Sequence, residues 1–199
     1  MSHILVIRSA ATGDASVSNQ LIDTYVEAAR AANPDVTVTV RDLDANPVPH
    51  VTQASLAGIG RAAPEGGQFA AARALQDELI AEVFAADTLV IGLPLYNFGM
   101  PSTLKAWFDY VARAGTTFQY TAQGPEGLVK DTKAIIAHAR AGQYDDASGF
   151  PFAVPHVKAL LGFVGVTDVQ VVTAEGLAFG PDAASAAITA ARAQIADLA

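Results

Sequence analysis

Three short segments hold most of the side chains suited to chemistry. The first is Arg8-Ser9-Ala10-Ala11-Thr12-Gly13-Asp14-Ala15-Ser16-Val17-Ser18, rich in hydroxyls and small residues and running straight into a helical pattern. The first N–H groups of a helix lack intrahelical acceptors and carry the positive end of its dipole. With the hydroxyls of Ser9, Ser16 and Ser18 as further donors, such a loop can hold a phosphate monoester without any lysine. The other reading is that Ser16 or Ser18 only caps the helix, and both stand on these residues. The second segment is Pro94-Leu95-Tyr96-Asn97-Phe98-Gly99-Met100-Pro101-Ser102. Two prolines and a glycine fix its shape. It can offer N–H and C=O groups to the rim of a flat heteroaromatic ring, or its aromatics can serve ordinary turn packing. The third, His138-Ala139-Arg140-Ala141-Gly142-Gln143-Tyr144, has small residues that permit close backbone approach. Its Arg140 either counters an anion or is a solvated loop charge.

Other chemistries find little support. The chain has 199 residues and no cysteine, which removes disulfides, thiolate metal sites and a catalytic thiol. The four histidines, His3, His50, His138 and His156, do not pair at metal-ligand spacing, so no metal is expected. There is no Gly-x-x-x-x-Gly-Lys phosphate loop and no Gly-x-Ser-x-Gly nucleophile elbow. Gly58-Ile59-Gly60-Arg61-Ala62-Ala63 fits a relaxed dinucleotide pattern but follows no strand pattern, and reads as a loop around a short helix. Asp145-Asp146 reads as a hydrophilic loop pair. A formal net charge of −8 argues against a nucleic-acid groove, which needs clustered Lys and Arg. No basic region precedes the short apolar run Ile4 to Ile7, and no stretch approaches the length of a membrane span, so a cytoplasmic protein without a membrane partner is expected.

The elements that must position these segments are legible. Hydrophobic residues make up 51% of the chain, but 41 of the 199 residues are alanine, which buries little area. Clusters of larger apolar residues are therefore the informative ones. Five β-branched runs stand out: His3 to Ile7, Val36 to Val40, Thr88 to Leu93, Lys133 to Ala137 and Val169 to Thr173. Four are largely apolar, as in parallel strands covered on both faces. The second alternates Val with Thr and reads as a half-exposed edge. Helical spacing fills the gaps, in Leu21, Ile22, Tyr25, Val26 and Ala29; in Phe69, Ala72, Leu75, Leu79, Val83 and Phe84; in Leu104, Trp107, Phe108 and Val111; in Val157, Leu160, Leu161 and Val164; and over about Asp182 to Leu198. Residues 46–67, punctuated by Pro and Gly, read as loop plus a short helix. The alternation predicts one α/β domain over residues 1–199. Its expected form is a flavodoxin-like, doubly wound, five-stranded parallel sheet of order 2-1-3-4-5 with helices on both faces. Five strands suit this layout better than the six-stranded dinucleotide fold. Ligands of such sheets sit beyond the carboxyl ends of the strands, where the order reverses. The three segments follow the first, third and fourth strands, so they converge there.

Longer motifs carry a family likeness. Pro94-Leu95-Tyr96-Asn97-Phe98-Gly99-Met100-Pro101-Ser102-Thr103-Leu104-Lys105, then Trp107-Phe108-Asp109, resembles the FMN-dependent NADH-azoreductases, also called NADH:quinone oxidoreductases. So do Arg113-Ala114-Gly115-Thr116-Thr117-Phe118, Tyr120-Thr121, Gly124-Pro125-Glu126-Gly127-Leu128, Ser16-Val17-Ser18-Asn19-Gln20-Leu21, Val40-Arg41-Asp42-Leu43, Leu161-Gly162-Phe163-Val164-Gly165 and Ala174-Glu175-Gly176. The resemblance spans the chain and keeps the order of elements.

It implies a homodimer that binds FMN non-covalently, with two active sites at the interface. NADH, or NADPH, would donate two electrons and leave, and a quinone or aromatic azo compound would then enter the same site, a ping-pong cycle. Carried over by position, the FMN phosphate meets Ser9, Ser16, Val17 and Ser18. The ring meets Pro94, Leu95, Tyr96, Asn97 and Phe98, and also Ala139, Arg140 and Gly142. Tyr120 and Phe163 fall at substrate-pocket positions, with core or dimer packing as their other reading. No side chain is assigned as a catalytic acid or base, because the cofactor carries the chemistry. Two departures matter: the family's Ser-Arg-Gly-Gly is Ala139-Arg140-Ala141-Gly142 here, and a second serine beside Ser9 is Ala10. Two other expectations compete: a flavodoxin-type electron carrier that ignores NADH, and a scaffold that has lost its cofactor.

Overall fold

A computed structural model describes residues 2–53, 55–56, 69–145 and 151–199. Along the chain run β1 (His3–Arg8), α1 (Val17–Ala32), β2 (Thr37–Asp42), α2 (Phe69–Ala85), β3 (Thr88–Pro94), α3 (Ser102–Val111), β4 (Phe118–Thr121), β5 (Gly124–Gly127), β6 (Lys133–Ala139), α4 (Ala153–Val164), β7 (Asp168–Ala174) and α5 (Pro181–Ala196). The five β-branched runs form one parallel sheet of order β2-β1-β3-β6-β7, which is 2-1-3-4-5 counted among its own members. This is the flavodoxin-like fold that the alternation predicts. Gly58 to Ala63 and Asp146 lie outside the described residues, as does most of the expected short helix; residues 53, 55 and 56 are helical.

Side chains alternate across the sheet and so divide the core in two. Leu5, Ile7, Leu89, Ile91, Leu93, Ala134 and Ile136 face α2, α3 and α4. Ile4, Val6, Val90, Ile135, Ala137 and Val172 face α1 and α5. All seven residues of β3 are buried, which explains why its run is apolar without alternation. β2 is the half-exposed edge, with no fully buried residue. Arg41 pins that edge to α2 by pairing with Glu82 at 2.5 Å and with Glu78.

Sequence patterning did not mark β4 and β5, a two-stranded antiparallel hairpin outside the main sheet. Each has four residues, and β5 is Gly-Pro-Glu-Gly, a composition with low strand propensity. What fixes the hairpin is a contact between glycines. A Cβ on Gly127 would lie 2.1 Å from the backbone N of Gly165, where α4 ends at φ +111°. Val129 N–H then donates to Val164 O at 2.9 Å. Gly127→Ala therefore forces backbone from backbone. It should cost about 3 kcal/mol, read as a lower urea midpoint at unchanged slope.

Candidate functional site

Parallel strands place the loops after β1, β3, β6 and β7 at one edge of the sheet, and hydrogen bonds tie them together there. Ala11 N–H donates to the Tyr96 hydroxyl at 3.0 Å, joining the first loop to the second. Leu95 N–H donates to Ala139 O at 2.9 Å, joining the second to the third. Gly176 N–H reaches Gly142 O at 3.1 Å and Ala178 N–H reaches Ala141 O at 3.0 Å, joining the third to the loop after β7.

The first loop ends in a 3-10 turn at Gly13–Ala15, and α1 starts at Val17 with Ser16 as its cap residue. Ser16 makes no side-chain cap bond. Its hydroxyl instead lies 2.9 Å from that of Ser18, both buried. The N–H groups of Val17, Ser18 and Asn19 are the leading donors of the helix and have no acceptor within it. Asn19 donates its amide to Gly13 O at 2.9 Å, while its buried Oδ1 has no partner. Ser9 differs from the other two serines: its hydroxyl donates to Gly92 O at 2.7 Å, so its proton is committed to β3. Glycine at 92 leaves room for the Ile22 side chain, because a Cβ there would stand 2.8 Å from Ile22 Cδ1 and 3.4 Å from Asn19 Oδ1. That absence of a side chain lets α1 begin against β3.

In the second loop Tyr96 and Gly99 exchange hydrogen bonds of 3.1 and 3.0 Å. The two residues between them, Asn97 and Phe98, have φ of 46° and 71°. Positive φ at both centres is what a type I′ hairpin turn demands. Asn tolerates it; Phe98 pays about 1 kcal/mol or more in strain. The turn exposes Tyr96, Asn97 and Phe98. Among the described residues neither the main-chain N–H of Asn97 nor its carboxamide has a partner.

The third loop turns its carbonyls toward β7 and leaves the N–H groups of Ala141 and Gly142 without acceptors among the described residues. Arg140 is neither a solvated charge nor an open anion site. Its Nε donates to Glu175 Oε2 at 2.8 Å, its Nη2 also pairs with Glu175, and its guanidinium lies 5.4 Å from the centroid of the Tyr144 ring. Tyr144 in turn meets Phe98 edge-on at 6.4 Å. Asn19 and Tyr144 thus join the site although the sequence reading assigned them no role. The third position of a helix that starts at a ligand loop was the available signal for Asn19. Tyr144 offered none, being an aromatic in an irregular loop.

Tyr120 and Phe163 stand elsewhere in the same chain. Phe118 bridges them, 4.2 Å from Phe163 and 5.5 Å from Tyr120 between ring centroids, at the last turn of α4. The first turn of α4 adjoins the site, where Phe152 N–H donates to Phe98 O at 2.8 Å. The 12 residues of α4, about 18 Å of helix, separate the two groups. A cavity of about 970 Å³ also lies away from the site, at the amino ends of the strands among Tyr25, Asp87, Lys133 and Gly165. Helix carboxyl ends face it, so it lacks the helix-start N–H groups gathered at the other edge.

His138 supports the site from below. Its buried ring donates Nδ1–H to Leu93 O at 2.7 Å, just before the second loop, and its Nε2 has no partner. Burial holds its pKa below the ordinary 6.5. The unfolded chain therefore takes up a proton that the folded one resists, and stability falls as pH drops below that ordinary value. Thermal denaturation between about pH 8 and pH 5.5 should show a steeper loss for the wild type than for His138→Asn.

The family described as having a flavodoxin-like fold matches residues 2–199. A protein of Hyphomonas neptunium named FMN-dependent NADH:quinone oxidoreductase is 50% identical over 100% of this chain and 96% of its own length. Its namesake in Aromatoleum aromaticum is 47% identical over 97% of each. Among solved structures, an azoreductase from Bacillus anthracis superposes with a TM-score of 0.90 at 32% identity, covering 100% of this chain and 98% of its own. An FMN-dependent NADH-azoreductase of the same species, solved in complex with FMN, gives 0.88 at 26% identity, covering 100% of both chains.

Proposed function

The chain belongs to the flavodoxin-like family, and from its likeness to the FMN-dependent NADH:quinone oxidoreductases we propose that it is an FMN-dependent enzyme passing two electrons from NADH, or NADPH, to quinones and aromatic azo compounds. One observation carries this reading: the loops after β1, β3 and β6, joined by hydrogen bonds at one edge of the sheet, each hold main-chain N–H groups without partners among the described residues, and Arg140 at that edge is paired with Glu175. The N–H groups of Val17, Ser18 and Asn19, with the Ser16 and Ser18 hydroxyls, suit a phosphate. Ser9 lends only its oxygen to that corner. Pro94 and Leu95 bring the chain to the ring position, where Tyr96, Asn97 and Phe98 form one wall. Ala139, Arg140 and Gly142 belong to the opposite wall, which offers N–H groups at Ala141 and Gly142. Where the family has Ser and Gly, Ala139 and Ala141 leave these main-chain donors in place and remove a hydroxyl and one glycine.

When bound, FMN supplies two-electron redox chemistry that no side chain of this cysteine-free chain offers. The residues do the rest. Fixed N–H dipoles at Asn97, Ala141 and Gly142 favour a ring that gains negative charge, and they need no reorganisation to do so. Tyr96 and Phe98 cover part of the crevice and limit water. Electron donor and acceptor occupy the same space in turn, giving ping-pong kinetics, and protons come from solvent.

Tyr120 and Phe163 reach such a crevice only from a second copy, since α4 holds them away from their own. We therefore assign a homodimer with an active site at each junction. Each chain is one domain of residues 1–199, working in the cytoplasm without nucleic-acid or membrane partners. No helix among the described residues is long and apolar enough to cross a membrane.

Protein reconstituted with FMN should be yellow, should bleach anaerobically with NADH, and should regain colour with a quinone. Absence of both binding and bleaching overturns the assignment. Colour that cycles only with a partner protein and ignores NADH favours an electron carrier. Replacing Ser16 and Ser18 together by Ala should weaken FMN about tenfold, or 1.4 kcal/mol, by fluorescence titration. Steady-state double-reciprocal plots against NADH at several quinone concentrations should be parallel. Tyr120→Ala should raise the quinone KM with FMN affinity unchanged.

A further inference from the structure

We propose that Arg140 is a positioning residue: held by Glu175, it sets Tyr144 and through it the left-handed Phe98 turn, and the pair keeps its own charge neutral beside the crevice. This rests on the reading that the crevice takes FMN. The side chain of Arg140 is only 11% exposed, yet it lies at the rim of a site for an anionic ligand. Its contacts explain what it does there. Nε and Nη2 hold the Glu175 carboxylate, Nη2 lies 3.4 Å from Tyr144 O, and the guanidinium carbon sits 5.4 Å from the Tyr144 ring centroid. One planar group thus fixes both the main chain and the ring of Tyr144. The ring meets Phe98 at 84°, an edge contact of the favourable kind. Phe98 needs such support because its φ of 71° is costly. The bond from Phe152 N–H braces its carbonyl from the other side.

The main chain of Arg140 is engaged as well. Its N–H donates to Ala174 O at 3.0 Å, and its carbonyl lies 3.4 Å from the donating Leu177 N. Arg140 therefore couples the loop after β7 to the turn after β3. Lysine cannot replace it, because its compact ammonium lacks the rigid planar set of N–H groups that reaches both Glu175 and Tyr144 O. Glu175 has a separable electrical role. With it, the guanidinium presents little net charge to the crevice. Without it, an uncompensated cation would favour the ring after it gains electrons.

The test uses the whole chain with and without FMN. Without FMN, NMR should show the Phe152 amide exchanging about tenfold faster in Arg140→Lys and Arg140→Met than in the wild type. An unchanged rate in both overturns the positioning role, whatever the protein binds. With FMN, Arg140→Lys should bind about tenfold more weakly, with no rescue relative to Arg140→Met. Glu175→Gln should hold reduced FMN about tenfold tighter relative to oxidised FMN than the wild type does. For a two-electron couple that raises the midpoint potential by about 30 mV. A Glu175→Gln potential equal to that of the wild type overturns the charge-neutral pair. Wild type that binds no FMN, with exchange altered as expected, overturns the FMN reading and leaves the Arg140 clamp standing.

Discussion

The site depends on how closely α1 can begin beside β3. Gly92 has no side chain where a methyl group would press on Ile22 and approach Asn19. The leading turn of α1 therefore lies against the sheet, and its unpaired N–H groups open at the same edge as the Tyr96–Gly99 turn. Ser9 fastens the arrangement by giving its proton to Gly92 O. The loops after β1 and β3 thus meet through main chain and one hydroxyl, and Tyr96 reaches back to Ala11 to close the gap. A side chain at 92 would have to displace the end of Ile22, the residue of α1 that packs on β3 at this point.

The unpaired donors at this edge are main-chain groups, which a change of side chain does not remove. Ala139 and Ala141 stand where relatives of the resembled family carry Ser and Gly, yet the carbonyls of residues 140–142 are drawn to the loop after β7 and the N–H groups of Ala141 and Gly142 are left without acceptors among the described residues. What the site does not tolerate is a change of backbone path. Phe98 occupies a conformation few side chains adopt, and neighbours on two sides hold it there. Strain of this sort persists only when the surroundings over-determine it.

The sheet and its order were legible because buried parallel strands leave continuous β-branched runs, as in Thr88 to Leu93, and an edge leaves an alternating one, as in Val36 to Val40. The three ligand loops followed from topology. The hairpin of β4 and β5 was not legible. Four residues of low propensity form it, and the Gly127 contact with Gly165 that secures it joins residues far apart in sequence. The pairing of Arg140 was not legible for a related reason. Its partners, Glu175 and the Tyr144 ring, come from different loops, and no local pattern announces them. Ser9 looked like Ser16 and Ser18 in the sequence, but only the fold shows that its proton is already spoken for. Tyr120 and Phe163 illustrate a different limit: likeness located them in the chain, whereas only the fold shows that the 18 Å or so of α4 separates them from the loops after β3 and β6.

The parallel order has an electrical consequence for the whole molecule. Each crossover helix runs opposite to the strands, so the positive ends of the helix dipoles point to the loop edge and the negative ends point to the broad cavity at Tyr25 and Asp87. A chain with an overall charge of −8 repels anions at long range. At close range its field is polarised along the strand axis. A phosphate that reaches the start of α1 meets the positive end of a helix dipole, whereas the opposite rim presents negative ends. That polarity is supplied by the winding of the chain and not by any single residue.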